Sequence, residues 1–394
     1  MLQTNHIAAI FENISEHRSN GVLLLLFLEF ERGGYPTAAN PEVKFLTASR
    51  TETMTLFCND YLEGCHPDIL NNLQETNLCQ TEGYGKDPYC EKARLLIKDL
   101  CGRPDADVHF MVGGTQTNAA VIASVLRPHQ GVLCADTGHI NVHESGAIEH
   151  SGHKVLSLPS NNGKISARQI DETMKAHSGD PGAEHCVQPG MVYLSFPTEL
   201  GTVYTKDELT EMRKVCSEWG IPLYIDGARL GYGLESSGCD VTLKDIARLT
   251  DIFYIGGTKQ GMLFGEAVVI CNDTLKKDFR YIIKQNGGLL AKGRLIGIQF
   301  QTMFSDGLYF SLARNADRLA EKLTVAFKEK GYRIYVDSST NQVFPILPSQ
   351  KAESLSADFK YDRWEQLDGN NLLVRFCTSW ATTDEQVDSL IAAL

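Results

Sequence analysis

The stretch from Leu223 to Lys259 constrains this chain most. It reads LYIDGARLGYG, then, after a polar connector, VTLKDIARL, then DIFYIGGTK. Two short apolar runs, Pro222 to Ile225 and Ile252 to Ile255, bracket an amphipathic segment, which is the pattern of a strand, a crossover helix and a second strand parallel to the first. Asp226 and Lys259 therefore fall just past the ends of two strands of one sheet, on the rim where open α/β sheets bind ligands. Neither residue carries much weight singly, because Asp-Gly after a strand is commonly a turn. Together, an acid and an amine at that rim suit pyridoxal phosphate, whose aldehyde condenses with a lysine and whose ring nitrogen needs an acidic partner. A carboxylate beside that ring cation stays ionised, and burial readily shifts a lysine toward its neutral form.

A second motif supplies an anion site. Val108 to Val112 reads as a strand that runs into Gly113-Gly114-Thr115-Gln116-Thr117-Asn118 and then the apolar helix AAVIASVL. A glycine turn that opens a helix leaves backbone N–H groups unpaired at the positive end of the helix dipole, so Gly114, Thr115 and Gln116 form the expected phosphate cradle. The turn is neither a Walker loop nor a dinucleotide fingerprint, since Gly231-Tyr232-Gly233 lacks the third glycine. The strand Gly131 to Ala135 ends near His139, with His143, Glu144, His150 and His153 following. Four imidazoles at near-helical spacing raise a zinc alternative. Gly146 and Gly152 weaken such a helix, and imidazoles spread over that length cannot all reach one ion, so no metal ligands are assigned.

Composition narrows the class. With 394 residues the chain can hold a large α/β domain and a smaller second one. A formal net charge of -12 argues against a nucleic-acid surface, which needs excess Lys and Arg. The 11 cysteines are never closer than Cys58 and Cys65, so there is no CxxC redox pair or zinc knuckle, and a reducing cytoplasm is the expected compartment. Val22 to Leu28 is far short of the roughly 20 apolar residues that span a bilayer. Glu12 and Glu16 precede it where a signal peptide carries positive charge. Residues 1–53 are expected to be an N-terminal extension of unclear role or an over-long reading frame.

Asp-Gly-Ala-Arg-Leu at 226–230, followed by Gly-Gly-Thr-Lys at 256–259, resembles the threonine aldolase and β-eliminating lyase family of aspartate aminotransferase-like (fold type I) pyridoxal phosphate enzymes. The resemblance covers roughly Met54 to Leu394. It implies a large cofactor-binding domain over 54–305, with a mostly parallel sheet covered by helices, and a smaller α+β C-terminal domain over 306–394. It further implies Lys259 as the cofactor's lysine, Asp226 as the partner of its ring nitrogen and His139 as the imidazole stacked on the ring. Thr258 adds a phosphate contact. Lys284 and Lys292, beside Arg294, reach the phosphate of a neighbouring subunit in a homodimer or homotetramer. Tyr84, in Tyr-Gly-x-Asp, belongs to the active-site rim. Arg229 and Arg375 are the candidates for gripping a substrate carboxylate, and Asn59 stands where many relatives have a serine. Thr198 or Glu199 occupies a place where family members often carry a histidine that contacts the substrate.

The implied activity is cleavage of a threonine-like β-hydroxy-α-amino acid to glycine and an aldehyde, with β-elimination from another amino acid as the alternative. The base for the β-hydroxyl proton stays open between Glu199, His143 and a bound water. Elsewhere the patterning predicts helices over Tyr89–Leu100, Ser166–Ala176, Thr274–Gln285 and Ser311–Lys330. It predicts strands over Lys154–Leu158, Met191–Phe196, Ala267–Cys271, Arg333–Val336, Gln342–Leu347 and Asn371–Ser379.

Overall fold

Alternate residues of the two central apolar runs face opposite ways, and that sets the layers of the fold. The computed structural model describes residues 54–394, so the expectations for 1–53 lie outside the described residues. After β1 (Thr55–Leu56), the strands β2 (Asp107–Met111), β3 (Gln130–Ala135), β4 (Lys154–Leu158), β5 (Gln188–Ser195), β6 (Leu223–Asp226), β7 (Ile252–Gly256) and β8 (Glu266–Ile270) follow. The last seven form one sheet in the order β2-β8-β7-β6-β5-β3-β4. Its neighbours from β7 through β4 are parallel, and β8 runs antiparallel to both β2 and β7.

Every residue of β6 and β7 is buried, as befits parallel strands covered on both faces. Leu223, Ile225, Phe253 and Ile255 pack into one core layer, while Tyr224, Ile252 and Tyr254 pack into the other with Tyr193 of β5. Asp226, two residues after Tyr224, shares the tyrosine face. The segment between β6 and β7 folds as two short helices, Leu230–Glu235 and Leu243–Leu249. The second opens on a reciprocal capping box between Thr242 and Asp245.

The glycines that follow these strands are set by how closely the strand ends approach. Gly256 N donates to Gly227 O at 2.9 Å. A Cβ on Gly227 would lie 2.0 Å from the Tyr254 carbonyl oxygen, and one on Gly256 would lie 2.4 Å from that of Ala228. The Asp-Gly and Gly-Gly pairs are thus the two sides of one tight crossing, and it brings Asp226 and Lys259 to the same rim.

C-terminal to the long helix Leu308–Glu329 come β9 (Arg333–Ile334), β10 (Gln342–Val343), β11 (Pro345–Pro348), β12 (Phe359–Lys360), β13 (Asp362–Gln366) and β14 (Asn371–Cys377). β14 is the hub of a small antiparallel sheet, pairing with β10, β11 and β13, and β9 pairs with β11. β1 pairs in parallel with β12, so the described chain begins beside its C-terminal layer. No helix among the described residues is long and apolar enough to cross a membrane.

The local expectations hold within a few residues, with four differences. Gln342–Leu347 is not one strand but two, β10 and β11, interrupted at Phe344. Thr274–Gln285 is not one helix: a short 3-10 turn, Asp273–Leu275, is capped by the Asn272 side chain, and the helix Phe279–Gln285 begins only after Asp278 at φ 62°. The helix Arg294–Ser305 was not predicted. It buries Ile296, Ile298, Phe300, Met303 and Phe304 and leaves Arg294, Gln301, Thr302 and Ser305 on a narrower, less buried side. β13 and the helices Ser349–Leu355 and Asp384–Ala393 were also not anticipated.

Gly227→Ala should destabilise the protein by on the order of 3 kcal/mol, because backbone rather than a flexible side chain occupies the Cβ position. Chemical denaturation beside wild type checks this; an unchanged midpoint would refute the crossing as the reason for the glycine.

Candidate active site

Asp226 is 4% exposed and accepts four hydrogen bonds. Tyr193 Oη donates to Oδ2 at 2.6 Å and Asn118 Nδ2 to the same oxygen at 2.9 Å. Tyr254 Oη donates to Oδ1 at 2.5 Å and the amide of Ala228 at 2.9 Å. Burial alone would raise the pKa of this carboxyl. The charge of His139 and the donors Tyr193, Tyr254 and Asn118 outweigh it, and the group titrates below the ordinary range. Asn118 is itself fixed, since its Oδ1 accepts from Tyr224 Oη at 2.7 Å.

Lys259, just beyond β7, has no hydrogen-bond partner for its Nζ among the described residues, and the ring of Tyr61 lies 6.0 Å from it. Burial, then the nearby positive charge of Arg229, lowers its pKa against the pull of Asp60, Asp226 and Glu266. Arg229 is held by a two-point ion pair, Nε to Asp60 Oδ2 at 2.6 Å and Nη2 to Oδ1 at 2.9 Å, with Asn341 Nδ2 also donating to Asp60 at 2.9 Å. The hydroxyl of Thr258 donates to Glu266 Oε1 at 2.8 Å, so its one proton is already used. Glu266 is buried and its pKa is pushed up to about 8, chiefly by burial.

The glycine turn lies across the cavity. Gly113 caps the helix Gly114–Val125 with no side-chain hydrogen bond, which leaves the first-turn amides open. His139 Nδ1 lies 2.8 Å from Glu144 Oε1, which also accepts from Asn118 Nδ2 at 2.7 Å. The backbone N–H of His139 donates to Glu199 Oε1 at 2.8 Å, and Ser195 Oγ reaches the same oxygen. The histidine stretch is not one helical face: it forms two four-residue helices, His139–Val142 and Ala147–His150, with Ser145 and Gly146 between them at positive φ. His143 and His150 are exposed, and His153 bonds the Gln130 carbonyl. Among the described residues no side chains are grouped as a metal site.

A cavity of about 340 Å³ collects Gly114, Thr115, His139, Asp226, Arg229, Thr258 and Lys259 from the expected set. Asn59, Tyr84, Gln116, Lys284, Lys292 and Arg375 do not line it. The Gln116 side chain turns away to bond the Asn286 carbonyl and the Val112 amide. Lys284 sits 4.8 Å from the Tyr84 ring on a separate surface groove, and Lys292 borders another. Arg375 pairs with Asp362 and donates to Gln342 Oε1 at 3.1 Å. Not anticipated as parts of the site were Tyr61, Glu144, Ser195, Tyr254 and Glu266, which line the cavity, and Asn118 and Tyr193 behind it.

Residues 70–349 match the family model described as β-eliminating lyase. The chain belongs to that family. Its similarity to threonine aldolases covers most of the chain. A low specificity L-threonine aldolase of Pseudomonas aeruginosa is 30% identical over 86% of this chain and 97% of its own length. The solved structure of Leishmania major threonine aldolase is 45% identical, with a TM-score of 0.84 over 86% of this chain and 98% of that one. Serine palmitoyltransferase of Sphingomonas wittichii, 14% identical at a TM-score of 0.63 over 86% of each chain, shares the fold alone.

This β-eliminating lyase family member is a pyridoxal phosphate enzyme of fold type I, and the residues present fit that cofactor. Uncapped amides suit a phosphate, an ionised buried carboxylate suits a protonated ring nitrogen, and an unpartnered amine with a lowered pKa suits an aldehyde. Because the folded Lys259 pKa lies below its unfolded value, its charged form weakens the cofactor-free fold below the folded pKa. That penalty fades as pH rises toward the ordinary lysine value of about 10.4. Lys259→Met should therefore stabilise the cofactor-free protein at neutral pH, by a margin that shrinks toward alkaline pH. Denaturation midpoints across that range measure it, and a pH-independent margin would contradict it.

Proposed function

We propose that the chain cleaves a β-hydroxy-α-amino acid of the threonine type to glycine and an aldehyde. The observation that carries this reading is that Asp226 and Lys259 line one cavity in a chain similar over most of its length to proteins named threonine aldolases. When bound, pyridoxal phosphate supplies an electron-poor ring that weakens the bonds to the substrate's Cα. Lys259 would hold the cofactor's aldehyde carbon, and its lowered pKa favours the neutral amine this needs. Asp226 keeps a proton on the ring nitrogen. The amides of Gly114, Thr115 and Gln116 receive the phosphate, and His139 lies against the ring, its orientation fixed by Glu144.

Arg229 and Arg375 bind the substrate carboxylate in this reading, with Asn59 and Tyr84 at the rim. Among the described residues, Arg229 lines the cavity and keeps its Nη1 free of hydrogen bonds, whereas Arg375, outside the cavity lining, keeps a buried Nε unpartnered. A planar guanidinium then fixes which Cα bond stands perpendicular to the ring. Thr258 acts through Glu266 rather than on the phosphate directly. Lys284 and Lys292 face away from this cavity and serve the phosphate of a second copy, which makes the working form a homodimer or homotetramer in the cytoplasm. Residues 54–305 form the cofactor-binding part and 306–394 the smaller one.

Purified protein should release glycine from threonine or phenylserine, and borohydride should fix the cofactor's mass to the peptide carrying Lys259. Lys259→Ala should lower turnover by at least roughly 10²-fold, the scale of one positioned proton-transfer group. Pyruvate and ammonia from serine, without glycine from threonine, would favour β-elimination, the chemistry named by the family model.

A further inference from the structure

The geometry points to Glu199 as the group that takes the proton of the substrate's β-hydroxyl, an inference that rests on the aldol-cleavage reading. Its Oε1 is fixed by Ser195 Oγ and by the His139 amide at 2.8 Å, while its Oε2 makes no hydrogen bond among the described residues, in a side chain that lines the cavity. The other carboxyls there offer no such oxygen. Asp226 accepts four hydrogen bonds, Glu266 accepts on both oxygens, and Glu144 holds His139 and Asn118 on Oε1 while its unpartnered Oε2 is fully buried. His143, an alternative in sequence terms, is exposed and lines no part of the cavity.

Counting hydrogens gives the second support. Ser195 Oγ lies within reach of both Glu199 Oε1 and, at 3.2 Å, Tyr193 Oη, but it owns one proton. Tyr193 spends its own proton on Asp226 at 2.6 Å. With Glu199 ionised, Ser195 donates to Glu199 and the Tyr193 contact lacks a hydrogen. With Glu199 protonated on Oε2, the oxygen left free, Ser195 and the His139 amide still donate to Oε1 and no hydrogen bond of the ionised state is lost. Both proton states of Glu199 therefore keep the same anchoring contacts, as a group that alternately takes and returns a proton requires. Burial raises its pKa, with Asp226 adding to the effect against Ser195 and the His139 amide, which brings the group closer to working pH. Besides Asp226 on β6, the titratable groups facing it are Tyr193 on β5, Cys134 on β3, His139 and Tyr204.

In the step, the hydroxyl O–H bond breaks and its proton bonds to Glu199 Oε2. The O–H electron pair closes the aldehyde C=O, and the pair of the broken Cα–Cβ bond remains on Cα, drawn toward the cofactor ring, until Cα takes up a proton to become glycine. The proton lost by the hydroxyl balances the one gained at Cα, and no oxidant or reductant enters.

Glu199→Gln in the holoenzyme should lower kcat for threonine by about 10²-fold or more with little change in KM. It should leave the bound-cofactor absorption and the exchange of glycine's α-proton with deuterated water near wild type, because neither involves a β-hydroxyl. In infrared spectra a protonated-carboxyl band that titrates above the range of exposed carboxyls should vanish in this variant. Ser195→Ala, which removes a hydrogen bond that favours ionised Glu199, should move the acid limb of the kcat profile to higher pH. Threonine cleavage within threefold of wild type in Glu199→Gln, equal loss of glycine exchange, or an unmoved acid limb in Ser195→Ala would overturn the inference. A wild-type enzyme that exchanges glycine's α-proton yet releases no aldehyde from any β-hydroxy amino acid would instead overturn the aldol reading itself.

Discussion

A buried negative charge on Asp226 is the constraint from which most of this structure follows. An isolated carboxylate removed from water would neutralise itself by taking up a proton. Asp226 avoids this because two tyrosine hydroxyls, one carboxamide and one amide all donate to it. Those donors come from four separate places in the chain, and the sheet is what assembles them. In β5, β6 and β7 the residues that alternate onto one face include Tyr193, Tyr224 and Tyr254, whose rings add apolar bulk to the core while two hydroxyls point at the carboxylate and the third steadies Asn118. Phenylalanine in these positions would keep the packing and leave the charge without its donors.

The same hydrogen bonds join opposite walls of the cavity. From His139 the chain of contacts runs through Glu144, Asn118, Asp226, Tyr193, Ser195 and Glu199 and returns to the His139 amide. A closed loop of this kind leaves few rotamers open to any member, so the groups around the cofactor position are held before ligands arrive. On the other side, the Arg229–Asp60–Asn341 cluster ties the β6 crossing to the segment after β1 and to the C-terminal layer, because Asn341 also donates to the Thr378 carbonyl at 2.9 Å.

What the sequence reveals of this is what lies close together along it. The strand, helix and strand around Asp226 and Lys259, the glycine turn before Thr115 and the position of His139 were legible because each is a local pattern with a mechanical reason. Asn118, Glu144 and the three tyrosines were not, because their role exists only after β5, β6 and β7 are side by side, and a tyrosine in a strand reads simply as a good β residue. The partner of Thr258 was hidden for a similar reason: its hydroxyl donates to Glu266, which arrives from β8. Gln116 shows the limit at atomic scale, where the residue is in the turn as expected while its side chain turns back to Val112 and Asn286.

The cavity's charge follows from counting donors. Four carboxyls line it, Glu144, Glu199, Asp226 and Glu266, yet the proposed ligand brings a phosphate and a carboxylate of its own. Four fixed negative charges would oppose both. Asp226, with four donors, is held below the usual carboxylate range, whereas Glu199 and Glu266, each with two, are held above it by burial. Hydrogen-bond supply thus separates these three carboxyls once they are removed from water. The one held most firmly ionised is the one placed to meet a cation, while the rise at Glu266, beside Lys259, favours a neutral form that no longer holds the lysine protonated. The lysine's nucleophilic form and the cavity's tolerance for anions therefore have a common cause.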